Sequence, residues 1–344
     1  MRKVLCTVGT SLAGNAFRQE GRKLNAAELT QFITKTRVVQ ACAETNSLSR
    51  ILQDGDRILF MHSETDDGRL CAEALVEYYR KQGRIAELKP IAGLTYSHQV
   101  FSFHGLRRLV DSLIEAIRLA RRLNLEPVIN ATGGFKAEIA YATLVGLLFK
   151  VPVYYIYEAF QEIIEMPAVP VDWDYTLMAE YEDFFEWLQT ELRRTQKTEN
   201  RLRGMPPELR QFLVNTEDGY TLLSPAGEVY FRAYQELKET AGTVVLSQQA
   251  KRYYHKLDDN QKAVFDSILK KLCLERLRAG GSGRVHTSEC VVFPRGGSKE
   301  RVFYFEDNNT VYVCELARHE DNYEDLLRKG VKKSDYGPFE PHFS

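Results

Sequence analysis

Along the first half of the chain, short apolar runs alternate with longer stretches of helical period. Residues 4–8, 57–61, 85–90, 127–130 and 153–157 read as strands, and 29–52, 69–81, 106–123 and 137–149 read as helices. This alternation predicts a Rossmann-like α/β domain: a largely parallel sheet covered on both faces, with ligands at the carboxyl ends of its strands. Residues 9–11, 63–66 and 131–136 all follow strands and are therefore expected on that edge. Residues 158–171 read as a short return strand ending in prolines.

The pattern then changes. Residues 173–197 predict one long helix, acidic early (Asp174, Glu180, Glu182, Asp183) and basic late (Arg193, Arg194, Lys197), an order that complements the helix dipole and suits a rigid connector. Gly204-Met-Pro-Pro207 breaks it. Residues 208–231 then read as a helix, a small hairpin and a helix opened by Ser224-Pro225, like the end of a winged-helix module. No helix there clusters Arg and Lys for a DNA groove, which favours a spacer or dimerisation role. Further on, 248–257 and 260–277 are amphipathic helices joined at Asp258-Asp259, followed by a glycine-rich stretch at 279–283. Three β-rich segments follow at 285–293, 301–306 and 310–316, with a hairpin at Asp307-Asn-Asn309. A short helix near Asp321 and a loose tail after Lys333 complete this α+β unit.

At 344 residues the chain exceeds what one core usually supports. The expected domains are 1–171, 172–243 and 244–344. A net charge of −1 gives no global case for nucleic acid, so any such face must be local. The six cysteines are scattered without a Cys-x-x-Cys pair, and most sit in apolar patterns, as buried reduced thiols do. The N-terminus carries a strand rather than a signal peptide, and no apolar run is long enough to span a bilayer. The expectation is a cytoplasmic protein with no membrane association and no structural metal.

The most informative chemistry lies at 128–138. A strand ends at Asn130, breaks at Thr132, Gly133 and Gly134, and restarts as a helix at Phe135 with Lys136 in its first turn. Backbone N–H groups and the positive end of a helix dipole suit an anion, typically a phosphate. A plain βα turn would also use two glycines, but Asn, Thr and Lys around them each add a phosphate-compatible donor. The spacing fits neither a phosphate-binding loop of nucleotide hydrolases nor a Gly-x-Gly-x-x-Gly fingerprint. It resembles the CARF domain, the sensor of type III CRISPR systems, which carries a strand ending in Asn-x-Thr-Gly-Gly-x-Lys. The strand running into Gly9, Thr10 and Ser11 matches a second element of that family. The resemblance implies a homodimer that binds a cyclic oligoadenylate as allosteric activator. Cyclic tetra-adenylate is the first expectation, for its two-fold symmetry, and the hexa-adenylate the second. The implied contacts are Gly9, Thr10, Ser11, Ser63, Asn130, Thr132, Gly133, Gly134, Phe135 and Lys136.

The last hundred residues resemble the RelE-type toxins, ribosome-dependent messenger-RNA endonucleases. Arg301-Val-Phe-Tyr-Phe, Val311-Tyr-Val-Cys-Glu-Leu-Ala and Arg318-His-Glu-Asp-Asn-Tyr323 carry that resemblance. RNA cleaves without a metal when its 2′-hydroxyl attacks the adjacent phosphate, given a base, a cation and an acid. Arg301 can hold the phosphate through its planar guanidinium, while Arg295 and Lys299 flank a glycine turn and add charge. Histidine is by type suited to proton transfer near neutral pH, which marks His319. Tyr323 can stack on a base or donate a proton. In the family an arginine follows a histidine; here Arg318 precedes His319, which favours a histidine acid. Alternatively Arg301 pairs with Glu315 across the sheet, and Arg295 and Lys299 are ordinary loop charges. Lys270, Lys271, Arg276, Arg278 and Arg284 either track an RNA backbone or form a solvated face.

Together the two resemblances imply a CARF–RelE fusion: a sensor, a helical or winged-helix-like connector, and a metal-independent ribonuclease cutting messenger RNA in the ribosomal A site. Two other classes stay open. One is a ligand-responsive transcription regulator using residues 204–238 on DNA. The other is a ring nuclease in which the sensor cleaves its own messenger.

Overall fold

The computed structural model describes residues 1–95, 97, 104–156, 162–167 and 173–343. Contacts divide the chain into two units, Met1–Trp173 with Leu188–Tyr230, and Asp174–Trp187 with Phe231–Ser344.

The first unit is built on β1 (Arg2–Val8), β2 (Arg57–Ser63), β3 (Ile85–Ile91), β4 (Glu126–Asn130), β5 (Val153–Tyr155) and β6 (Ile164–Met166). Their order is β3-β2-β1-β4-β5-β6. The first five strands are parallel and β6 returns antiparallel to β5. β1 is buried from Val4 through Val8, as a central strand covered on both faces must be. Chain order runs outward from β1 to β3 on one side and from β4 to β6 on the other. The crevice between the ends of β1 and β4 is therefore the topological switch point, where a doubly wound sheet takes its ligand.

Helices cover the sheet. Leu106–Arg122 buries Leu106, Leu109, Val110, Leu113 and Ile117, one stripe at helical spacing. The predicted helix 29–52 is three: Ala26–Lys35, Val38–Ala41 and Ala43–Ile51. Thr36 and Cys42 are extended, and the Thr45 hydroxyl donates to Val38 O at 2.6 Å while accepting from Cys42 N at 3.2 Å. Local side-chain bonds of this kind compete with helix continuation. A helix that periodicity did not announce, Ser11–Glu20, follows β1 directly; it buries only Leu12 and Ala16.

A three-stranded antiparallel sheet completes this unit: β7 (Arg193–Arg194), β8 (Leu213–Asn215) and β9 (Tyr220–Leu223), in the order β7-β9-β8. β7 overturns the single helix expected over 173–197. That stretch forms Thr176–Glu180, Glu182–Thr190, the strand, and Thr195–Arg201. Arg193 and Arg194 pair with Thr221 and Tyr220, and the Arg194 guanidinium lies 4.3 Å from the Tyr220 ring centroid. Tertiary pairing here overrides helical propensity. The hairpin and the helix Pro225–Glu239 occur where expected.

The second unit contains β10 (Thr243–Ser247), β11 (Gly283–Arg284), β12 (Val291–Phe293), β13 (Glu300–Asp307), β14 (Thr310–Arg318) and β15 (Phe339–Pro341), in the order β11-β12-β13-β14-β10-β15. β10 runs parallel to β14, and the other pairings are antiparallel. Helices Gln248–His255 and Asp259–Cys273 pack Ala250, Phe265, Ile268 and Leu269 against Val244, Val302 and Val313. Two expectations need correction. The two helices are preceded by a strand, β10, that their own periodicity did not reveal. The tail after Lys333 is not loose: β15 pairs with β10, Lys251 forms an ion pair with Glu340, and His342 Nε2 lies 2.9 Å from Asp266 Oδ1. All six cysteines are free thiols.

Candidate functional sites

At the switch point the turns after β1 and β4 touch. A Cβ on Gly9 would lie 2.7 Å from Gly134 N. One on Gly133 would lie 2.0 Å from Glu44 Oε1 and 2.8 Å from Thr7 O. Gly134 has φ of +103°, so this pair of glycines is required both for conformation and for close approach. The Thr7 hydroxyl donates to Gly133 O at 2.5 Å and fixes the turn against β1.

The residues expected here divide into a buried frame and a partly exposed rim. Asn130 is fully buried; its amide donates to Ser47 Oγ at 2.8 Å and Cys6 Sγ at 3.3 Å, and its oxygen accepts from Thr132 Oγ1 at 2.7 Å. Thr132 in turn accepts from Ile156 N at 3.2 Å. Ser63 is buried and bonds the hydroxyl of Thr65, which caps the helix Asp66–Lys81. These three side chains, with buried Gly133, hold the strand ends in place. The rim consists of Gly9, Thr10, Ser11, Gly134, Phe135 and Lys136. Lys136 is exposed in the first turn of the helix Lys136–Phe149 and forms no ion pair among the described residues.

Two buried carboxylates that sequence reasoning did not assign complete the crevice. Glu44 Oε1 accepts from Gly9 N at 2.7 Å, and its Oε2 lies 3.4 Å from the Ser11 hydroxyl. Glu138 Oε1 accepts from Phe135 N at 3.3 Å, while Oε2 is buried without a partner among the described residues. Burial, opposed by the Phe135 N–H and reinforced by Glu44, pushes the Glu138 pKa up to about 7. So the N–H groups of Gly9 and Phe135 are already engaged by the protein's own carboxyl groups. Glu138 had a signal, an acid at the third helical position where a capping partner belongs. Glu44 had none.

In the second unit, β13 and β14 align Glu300 with Arg318 and Arg301 with Ala317. This register separates Arg301 from Glu315, which instead accepts from Tyr336 OH at 3.1 Å. Arg301 is 7% exposed, and its Nη1 donates to Ser298 O at 2.5 Å and Glu300 O at 2.7 Å. No carboxylate pairs with it among the described residues. Its guanidinium lies 5.8 Å from the Tyr323 ring centroid, and the His319 ring is 4.3 Å from that of Tyr323. Arg301, His319 and Tyr323 therefore form one cluster. His319 N donates to Lys299 O at 3.0 Å, which ties the loop before β13 to the one after β14.

Lys299 and Arg318 stand beside that cluster but are charge-paired. Lys299 bonds Glu320, and Arg318 lies 3.4 Å from Glu300 and 3.5 Å from Glu320. Burial works against the Glu300 charge, but the Ser298 hydroxyl and Arg318 outweigh it and hold its pKa low. Arg295 is exposed, and its backbone N–H donates to Gly281 O at 2.7 Å. Of the basic residues expected before this sheet, Lys270, Lys271 and Arg278 pair with Asp183, Glu180 and Glu306. Among the described residues no group of three His, Cys, Asp or Glu could hold a metal, and no helix is long and apolar enough to cross a membrane.

Residues 39–169, which include the Asn130 to Lys136 motif, match the family described as CRISPR-associated protein (Cas_APE2256). Two solved structures align over much of the chain. One is protein VC1899 from Vibrio cholerae, at 8% identity and a TM-score of 0.28, covering 69% of this chain and 68% of that one. The other is Can2 from Sulfobacillus thermosulfidooxidans in complex with cyclic tetra-adenylate, at 12% identity and a TM-score of 0.27, covering 95% and 84%. Both superpositions are too loose to carry a shared fold or ligand to this chain.

Proposed function

We propose, from the CRISPR-associated match over residues 39–169, that this chain is a cyclic-oligoadenylate-activated effector of type III CRISPR defence with a ribonuclease at its C-terminal end. The observation that carries the reading is the meeting of the Gly9 and Gly134 turns at the switch point of a doubly wound sheet. Small residues there let the two turns approach closely, and Lys136, in no ion pair among the described residues, is exposed on the same edge. An anionic ring lying across the edge would meet the Thr10 and Ser11 hydroxyls and the Lys136 charge. Cyclic tetra-adenylate, through its two-fold symmetry, suits a site shared by two copies of the chain.

In the second unit Arg301 is a buried guanidinium that donates to backbone carbonyls and meets no carboxylate among the described residues, which leaves its charge for a phosphate. The 2′-hydroxyl of the RNA attacks phosphorus, forming a 2′,3′-cyclic phosphate and breaking the bond to the 5′-oxygen. One proton leaves the 2′-oxygen and one reaches the departing 5′-oxygen, with His319 and Tyr323 the titratable side chains beside Arg301. Arg301 balances the charge that builds on the phosphoryl oxygens. The resemblance to RelE-type toxins supports messenger RNA on the ribosome as the substrate.

The test is messenger cleavage in a ribosome-containing extract, with and without cyclic tetra-adenylate. Wild type should cut only with ligand. Arg301→Ala should bind ligand without cutting, and Lys136→Ala should keep any basal cutting while losing activation. Cutting by Arg301→Ala at the wild-type rate would remove that residue from the site. Binding without cutting by wild type would put the ligand-responsive regulator first.

A further inference from the structure

The two titratable side chains beside Arg301 stand at the ends of a short loop. β14 ends at Arg318, and the helix Tyr323–Lys329 follows. His319, Glu320 and Asp321 are exposed, and no residue of that helix is buried. Apolar packing therefore gives the loop little support, and polar bonds must place it. Several of these stay within the β13–β14 hairpin and its ends. Asn322 Oδ1 accepts from Arg318 N at 3.1 Å, Asn322 Nδ2 donates to Leu316 O at 3.0 Å, and Asp321 N donates to Arg318 O at 3.0 Å.

A further bond comes from a different element. The Tyr253 hydroxyl, on the helix Gln248–His255, donates to Asp321 Oδ2 at 2.9 Å. That helix is fixed at its start, where Ser247 Oγ accepts from Ala250 N at 3.0 Å and donates to Cys314 O of β14 at 2.6 Å. Ala250 and Phe265 are fully buried, and the half-buried Tyr253 ring meets Phe265 edge-on, with centroids 6.2 Å apart. A tyrosine at a core rim usually turns its tip to water. Here the tip ends on a carboxylate between two candidate reactive groups, as a charge-assisted hydrogen bond. Burial first, then the Asp321 bond, push the Tyr253 pKa up, so the hydroxyl keeps its proton near neutral pH and acts as a donor.

We propose that Tyr253 is a positioning residue of the ribonuclease site, a strut that holds the loop carrying His319 and Tyr323 beside Arg301 through the Asp321 carboxylate. The inference rests on the ribonuclease reading above and deepens it. Tyr323 has core support of its own, its ring centroid lying 6.0 Å from that of buried Phe303. His319 is exposed, two residues from Asp321, and is the group that loses its place when the strut is cut. Proton transfer to or from the RNA demands hydrogen-bond reach, so a displacement of the imidazole slows the reaction without weakening the hold on the substrate.

The test uses the full-length protein saturated with cyclic tetra-adenylate, and single-turnover cleavage of messenger on programmed ribosomes across a range of ribosome concentrations. Tyr253→Phe keeps the ring against Phe265 and should melt with wild type. Its cleavage rate at saturation should fall by about 10-fold to 100-fold, with the half-saturating concentration unchanged. Asp321→Ala should lose as much, and the double variant no more than either single one. Asp321→Asn keeps an accepting oxygen for the hydroxyl and should restore the rate to within about threefold of wild type. A wild-type rate in Tyr253→Phe, additive losses in the double variant, or a loss confined to the half-saturating concentration would overturn the strut and leave the ribonuclease reading standing. Ligand binding by wild type with no cleavage at all would remove both.

Discussion

Glu138 makes the switch point sensitive to pH, and the size of the effect follows from its surroundings. It is 1% exposed, one oxygen accepts from Phe135 N and the other has no partner among the described residues. Burial, against the single N–H bond and with the Glu44 charge adding to it, raises its pKa from an ordinary 4.5 to about 7. A carboxyl whose pKa rises on folding is more protonated folded than unfolded between those two values. Its stabilising share is complete below the unfolded pKa and is lost as pH climbs through the folded one. At 1.36 kcal/mol per pKa unit the loss between pH 4.5 and pH 8 is roughly 3 kcal/mol. Glu138→Gln keeps the shape and the acceptor for Phe135 N but carries no charge. The variant should therefore match wild type near pH 4.5 and become progressively more stable than it toward pH 8. Urea unfolding across that range checks this, read by pulsed alkylation of buried Cys6 at one fixed labelling pH, so that only this unit is followed. Parallel stability curves for the two proteins would refute the reasoning, because they would mean Glu138 is neutral, or compensated, at every pH.

Other outcomes follow from the same contacts. Gly133→Ala forces a methyl to within 2.0 Å of Glu44 Oε1 and should lower the stability of the first unit by about 1–3 kcal/mol and abolish ligand binding, both read by melting with and without cyclic tetra-adenylate. Arg107 Nε donates to buried Glu228 Oε2 at 3.0 Å, and Gln189 bonds both, so Arg107→Met should cost about 1–3 kcal/mol, with Glu228→Gln in the same chain recovering part of it. Arg301→Lys keeps the charge but loses the planar fork. Cleavage should fall by about 100-fold or more while ligand affinity stays at the wild-type value.

The parallel sheet was legible because central strands are buried on both faces. β1, β2 and β4 appear as apolar runs whatever surrounds them, and the alternation with helices dictates their parallel order. The glycine turn at 133–134 was legible for an equally local reason, since positive φ and close approach leave few residue choices. Tertiary structure alone decided the rest. β7 and β15 are two and three residues long, too short to carry a strand period, and they become strands by pairing with the edges of β9 and β10. Asn130 and Thr132 look like ligand donors in sequence, but three-dimensional packing engages them with Ser47, Cys6 and Ile156. Glu44 sits far from either glycine turn in sequence, and only the fold brings its carboxylate to Gly9 N. The apolar period and the glycine requirement are properties of a chain segment and can be read from it. The partner of a polar group is a property of the packed molecule, set by which of several equally suitable neighbours the fold places within hydrogen-bond reach.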